Sequence, residues 1–154
     1  MTESAFQESG VKLTGALRIE IFAEDGTLKD VRDIPNLVVT AGKGVIAERM
    51  KGTPTKAAMT HMAVGTNNTT PVAGDTALLA EVASSRTALT STTVSGTVIT
   101  YVCTFGAGVG TGALVEAGIF NAASLGDMLC RTTFSVVNKG ASDSMTITWT
   151  VTIN

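Results

Sequence analysis

Between residues 145 and 153, apolar and hydroxylated side chains alternate without a break. Met145, Ile147, Trp149, Val151 and Ile153 take one parity, and Thr146, Thr148, Thr150 and Thr152 the other. A period of two places the first set on one face of an extended chain and the second set on the opposite face, which predicts a half-buried β-strand. Threonine is β-branched and favours extended backbone, so both parities support the same element. Residues 11–22 repeat the pattern, with Leu13, Leu17, Ile19 and Ile21 opposed to Lys12, Thr14, Arg18 and Glu20. Asp25-Gly26 follows and predicts a two-residue hairpin turn with both residues at positive φ. Residues 28–39 then return as the partner strand. Pro35 has no N–H, so this partner is expected to be interrupted there or to lie at a sheet edge.

Residues 40–51 are the best helix candidate. Val45, Ile46, Arg49 and Met50 give a partly apolar face, and Gly52 is a stop. Gly42 and Gly44 weaken the first turn by about 1 kcal/mol each relative to Ala. Residues 61–66 read as a short apolar strand and 67–74 as a loop. Asp75 reads as the N-cap of one or two helical turns running to Val82, with Leu78, Leu79 and Val82 facing inward. The remainder predicts strands at 86–93, 97–105, 113–122 and 128–137. Ser95-Gly96 supplies a turn, and Ile99, Tyr101, Cys103 and Phe105 share one face. No segment copies another, which excludes a solenoid. The expected fold is mostly β, an antiparallel β-sandwich or jelly-roll-like barrel with one or two short helices. Residues 11–154 form a single domain, preceded by a flexible polar arm at 1–10.

Composition changes this picture in one respect. Charged residues make up 16% of the chain, against about a quarter in an average globular protein. Mean hydropathy is positive at +0.31. So uncharged a surface suits a protein whose exterior becomes interface. The net charge is −2, and the 11 basic residues are scattered. That opposes an electrostatic grip on nucleic acid, which needs clustered Lys and Arg. No apolar run reaches the ~18 residues of a membrane span, and residues 1–10 carry neither a basic leader nor an apolar core. Synthesis in a bacterial cytoplasm is the expectation. Cys103 and Cys130 each sit in an apolar strand-like run, where a reduced cysteine acts as a small hydrophobe. With a lone His61 they make no zinc pattern.

Candidate chemistry fails on context. Gly108, Gly110 and Ala113 fit a loose GxGxxA, but a dinucleotide loop must open a helix, and Leu114-Val115-Glu116 leads into a strand, so residues 106–112 read as a flexible hairpin loop. Gly42-Lys43 lacks the spaced glycine and the following Ser or Thr of a phosphate-binding loop. No GxSxG elbow exists, and His61 is the only histidine. Aromatics are too few for a sugar-cleaving cleft. The sequence therefore predicts no catalytic residues, no cofactor and no metal. Four charges among apolar or small residues stand out: Glu81, Arg86, Glu116 and Arg131. Burying a charge alone is costly, so they are expected to form one or two salt bridges tying the 75–82 helix to the sheet.

The order of the segments is similar to that of a known class. LTGALRIEIFAEDGTLKDVRDIPNLVVTAGKGVIAERM resembles the opening of small structural proteins of tailed bacteriophages. MAVGTNNTTPVAGDTALLAEVASSR resembles a recurring block of that class: an apolar strand ending in Gly-Thr, a polar loop, Asp-Thr-Ala-Leu, then Glu and Arg. LVEAGIFNAASLGDMLCRTTFSVVNK and MTITWTVTI complete the pattern. Related blocks occur in head cement or decoration proteins and in tail-collar and tail-fibre proteins. The resemblance spans residues 13–153. It implies a virion component without enzymatic activity that bridges capsid subunits on the outside of the head. Its expected partner is the major capsid protein, and its expected state a homo-oligomer, dimer or trimer. The alternative is a tail, collar or fibre-base protein contacting tail or portal-vertex proteins. A host glycan-binding module is the third reading, and a buried Trp149 would count against it.

Overall fold

A computed structural model describes residues 10–154; the expected arm therefore lies almost wholly outside the described residues. Nine strands and one helix follow in the order β1 (Leu13–Phe22), β2 (Leu28–Val38), α1 (Thr40–Arg49), β3 (His61–Gly65), β4 (Thr87–Ala88), β5 (Ser91–Ser95), β6 (Val98–Phe105), β7 (Gly112–Phe120), β8 (Met128–Lys139) and β9 (Ser144–Ile153). The strands form one antiparallel sheet ordered β4-β3-β7-β8-β2-β1-β9-β6-β5. The fold is mostly β with one short helix.

The sheet is curled into two wings. Strands β4, β3, β7 and β8 make one, and β2, β1, β9, β6 and β5 the other. Only two register pairs, Leu37 with Arg131 and Val38 with Cys130, join them. At the opposite side the chain itself crosses between wings. Leu89 N–H bonds the Thr60 carbonyl beside one wing, and Thr90 N–H bonds the Val102 carbonyl of the other. The alternating apolar positions meet between the wings. Leu17, Ile19 and Ile21 of β1, Cys103 and Phe105 of β6, and Ile147, Trp149 and Val151 of β9 face Met62, Val64, Leu114, Ile119 and Cys130. All are buried. The strand β9 lies centrally, paired with β1 from Leu13–Ile153 to Phe22–Ser144 and with β6 on its other side.

Four local expectations are corrected. Residues 75–82 are not helical. Their backbone is claimed by other partners: Thr66 N–H donates to the Ala80 carbonyl and Val82 N–H to the Val64 carbonyl, while Leu79 and Ala80 N–H groups donate to the Glu116 carboxylate. The N–H groups of Leu79, Ala80 and Val82 and the Ala80 carbonyl are thereby spent outside any i→i−4 ladder. The β1–β2 connection is not a two-residue turn. Gly26 N–H closes on the Ala23 carbonyl at 2.9 Å, and only Gly26 has positive φ, at 86°, so the loop is a turn followed by a bulge. The expected strand at 86–93 divides into β4 and β5, because the chain changes wings between them. The glycine-rich segment before β7 links two strands that are not neighbours in the sheet, and so is a crossing between wings rather than a hairpin loop.

Pro35 stays inside an unbroken β2, opposite Ala16. Thr132 Oγ1 donates to the Pro35 carbonyl at 2.7 Å, so that carbonyl points toward β8. A residue's N–H and C=O point the same way in a strand, so the missing N–H also faces β8. There β2 is an edge apart from its last two residues, and the proline removes no ladder bond.

Gly42 has a positive reason for its place in α1. A Cβ there would run into the backbone of Leu129. The glycine lets the helix lie directly on β8, whereas Gly44 faces open space.

Candidate functional site

Glu116 on β7 and Arg131 on β8 occupy neighbouring strands, since Gly118 pairs with Arg131 and Glu116 with Thr133. Both side chains are fully buried. Arg131 Nε donates to Glu116 Oε2 at 3.0 Å, and Nη2 lies 2.9 Å from the same oxygen. The remaining valences reach into the segment between β3 and β4. Arg131 Nη1 donates to the Thr69 carbonyl at 3.0 Å and to Asp75 Oδ2 at 3.1 Å. Glu116 accepts backbone N–H bonds from Ala80 at 2.8 Å, Leu79 at 3.2 Å and Asn67 at 3.4 Å. Asp75 Oδ2 also accepts the Val72 N–H. A segment with no regular structure is thereby pinned at five backbone positions by three charged side chains. The carboxylate needs room beside β3: a Cβ at Gly65 would collide with it and with the Ala80 carbonyl.

Glu81 and Arg86 form the second pair. Arg86 grips the carboxylate with Nε and Nη2, both at 2.8 Å. Its Nη1 donates to the carbonyls of Ala122 and Leu125, and the guanidinium lies 3.6 Å from the Phe120 ring centroid. Arg86 thus ties the end of the pinned segment to the β7–β8 turn. The structure brings the four sequence-selected charges together as Glu116–Arg131 and Glu81–Arg86. What the sequence missed is Asp75, read as a helix cap and found as the third member of the buried network. Its position next to a polar loop and 56 residues from Arg131 in sequence gave no local signal.

Both carboxylate oxygens of Glu116 already hold donors. His61 is half-buried on β3, with Nδ1 2.8 Å from Thr60 Oγ1. Among the described residues no three His, Cys, Asp or Glu side chains cluster as metal ligands. Cys103 and Cys130 are free and buried, and desolvation pushes both thiols up to about 12. In the glycine-rich crossing, the Gly106 carbonyl accepts from Lys139 Nζ at 2.9 Å; burial lowers the pKa of that lysine, partly offset by Asp143. Trp149 is fully buried, and its indole N–H has no partner. No described helix is long and apolar enough to cross a membrane.

The remaining candidate is a surface. On β5, β6, β9 and β1 the outward parity is dominated by hydroxyl and small apolar groups. Thr93, Thr100, Thr150 and Ala16 lie in one row across four strands. The next row ends in the exposed Arg18–Asp33 pair at 2.9 Å. Such a face can be covered without stranding many charges, which is the requirement on an interface core. Comparison with protein-family models, curated proteins and solved structures finds no match to this chain.

Proposed function

We propose that this chain is a structural component of a tailed-bacteriophage virion, a cement or decoration protein that binds the outside of the head and bridges capsid subunits. The observation that carries the reading is the broad threonine face of β5, β6 and β9, uncharged as far as Arg18 and Glu20 on β1. The resemblance in segment order is consistent with it. The residues behind that resemblance, Gly65, Asp75, Glu81 and Arg86, have structural work in pinning the segment between β3 and β4. Face-to-lattice contact suits this job, because many weak contacts repeated over a shell add through multivalency. A ligand of the mature lattice alone stabilises it by mass action. The buried Trp149 speaks against the glycan-binding alternative, since sugar platforms need exposed rings.

The test is a cryo-EM map of native particles with the copy number per particle measured by quantitative mass spectrometry. Hundreds of copies on the outer head surface are expected. A few copies at the portal vertex or tail would move the protein to the tail, collar or fibre-base class, and absence from the particle would end the virion reading. Thr150→Asp, which puts a charge in the middle of the face, should weaken binding to heads at least about tenfold, or roughly 1.4 kcal/mol, while leaving the thermal midpoint within about 2 °C.

A further inference from the structure

Seven of the lysines and arginines reach a carboxylate, and Lys139 donates to a carbonyl. Lys12, Lys43 and Arg49 pair with no carboxylate among the described residues. All three border one feature. A groove of about 750 Å³ runs between the start of β1 and α1, walled by Val11, Leu13, Ile46, Met50 and Ile153, with Lys12 and Lys43 on its rim. Past Ile46 and Met50 it continues into a pocket of about 280 Å³ against Met59, Tyr101 and Val151, with Arg49 beside it. Val11 is 72% exposed and Met50 84%. An apolar trough open to water is a binding surface by default, and a rim of cations alone selects an acidic occupant.

The chain carries such an occupant. Residues 1–9 read Met-Thr-Glu-Ser-Ala-Phe-Gln-Glu-Ser. They hold two acids, no lysine or arginine, and one aromatic between the acids. They join the fold at Gly10, directly before Val11 on the groove wall. Phe6 is five residues from Val11, a reach of up to about 17 Å, and Val11 itself lines the groove. Gly10 has open space around its Cα, which leaves room for the chain to reverse there. We propose that residues 1–9 dock in the groove of their own chain, with Phe6 on the apolar floor between Ile46 and Met50 and Glu3 and Glu8 beside the Lys12–Lys43–Arg49 rim. The tether makes the segment's effective concentration millimolar, which favours its own groove over another copy's. This inference is independent of the virion reading.

Paramagnetic NMR on the full chain tests it. A nitroxide is attached at Ser4→Cys, the native cysteines being buried, and the methionine methyls are labelled with 13C. Met145 is the internal control, because it lies at the end of β9 opposite Ile153, about 26 Å along the strand. The expected result is that the nitroxide broadens the Met50 methyl at least about threefold more than that of Met145, as a segment held at high local concentration requires. Phe6→Ala and the double change K43E/R49E should each remove the difference without shifting the Met145 resonance. Equal broadening of the two methyls, or persistence of the difference in K43E/R49E, overturns the proposal. A mixture of nitroxide-bearing unlabelled chains with 13C-labelled chains identifies the occupant's origin: Met50 should stay sharp. Broadening in the mixture assigns the groove to a second copy and overturns docking within one chain.

Discussion

Glu116 accepts from Arg131 Nε and from three backbone N–H groups, with Nη2 2.9 Å away, while fully buried. Removing one partner of such a pair leaves an uncompensated charge in the interior, which is worth about 3–5 kcal/mol. Arg131→Met should therefore lower the urea midpoint by that equivalent and loosen residues 66–80 in hydrogen exchange. Glu116→Gln keeps acceptors for part of the backbone set, yet it leaves the buried arginine with Asp75 as its one carboxylate partner and should also destabilise. In the double variant R131M/E116Q the loss should be smaller than the sum of the single losses. An additive result would show that the two side chains do not act as a unit. That these residues would pair was legible from their apolar surroundings in sequence. That they organise a loop was not, because the donors they satisfy belong to backbone far away in the chain.

The ion-paired carboxylates outside the Glu116–Arg131 network set the acid limit. Arg18 holds the Asp33 carboxyl below its usual range, Lys56 does so for Asp127, and Lys29 with the Gly140 N–H for Asp143. Lys51 and Thr55 bring Glu48 down to about 2. Folded values below unfolded ones mean that the folded state binds fewer protons. Stability is then full above the unfolded carboxylate range and falls as pH drops through the folded values. Urea midpoints should be level from about pH 7 to 5 and decline from about pH 4 to 2, with Glu48→Gln flattening the lowest part of the curve. A midpoint that holds or rises into acid contradicts this assignment.

At the scale of elements, α1 is the informative case. Its two glycines look alike in sequence, and both count as helix weakeners. In the structure Gly42 meets the Leu129 backbone and Gly44 meets nothing. Gly44→Ala should stabilise by up to about 1 kcal/mol through helix propensity. Gly42→Ala must push the helix off β8 and should destabilise by about 1–3 kcal/mol. Thermal unfolding of both variants checks the opposite signs. The strands were legible because alternation is local: β1, β6 and β9 bury the parity that the pattern assigns. The segment at 75–82 was misread for the same reason. Asp75 and the leucines after it carry a helix-start pattern, and only the placement of Glu116 on a distant strand overrides it.

The whole molecule depends on distant pairing. The middle strand of the larger wing is β9, held between β1 and β6, and the Trp149, Ile147 and Val151 side chains it brings complete the core. Deleting residues 144–154 would expose the facing sides of two strands at once. The expected product has no cooperative thermal transition and lacks fixed aromatic signals in near-ultraviolet circular dichroism. A cooperative transition in the truncated chain would show that the wings fold without their middle strand. Folding of the intact chain should be slow for its size, in the millisecond-to-second range, because contacts this distant close large loops before they are rewarded.

The register of β1 against β9 also has a consequence in time. On the ribosome β1 emerges well before its partner β9, so β1 can pair with β2 at once but must hold its other edge open while everything between is translated. The sheet cannot close before residues 144–153 have left the exit tunnel. Until then the threonine face does not exist as a surface, since its central row belongs to the strand still to come. On the proposed reading of that face, a nascent chain is kept from engaging a partner through it until β9 has been released.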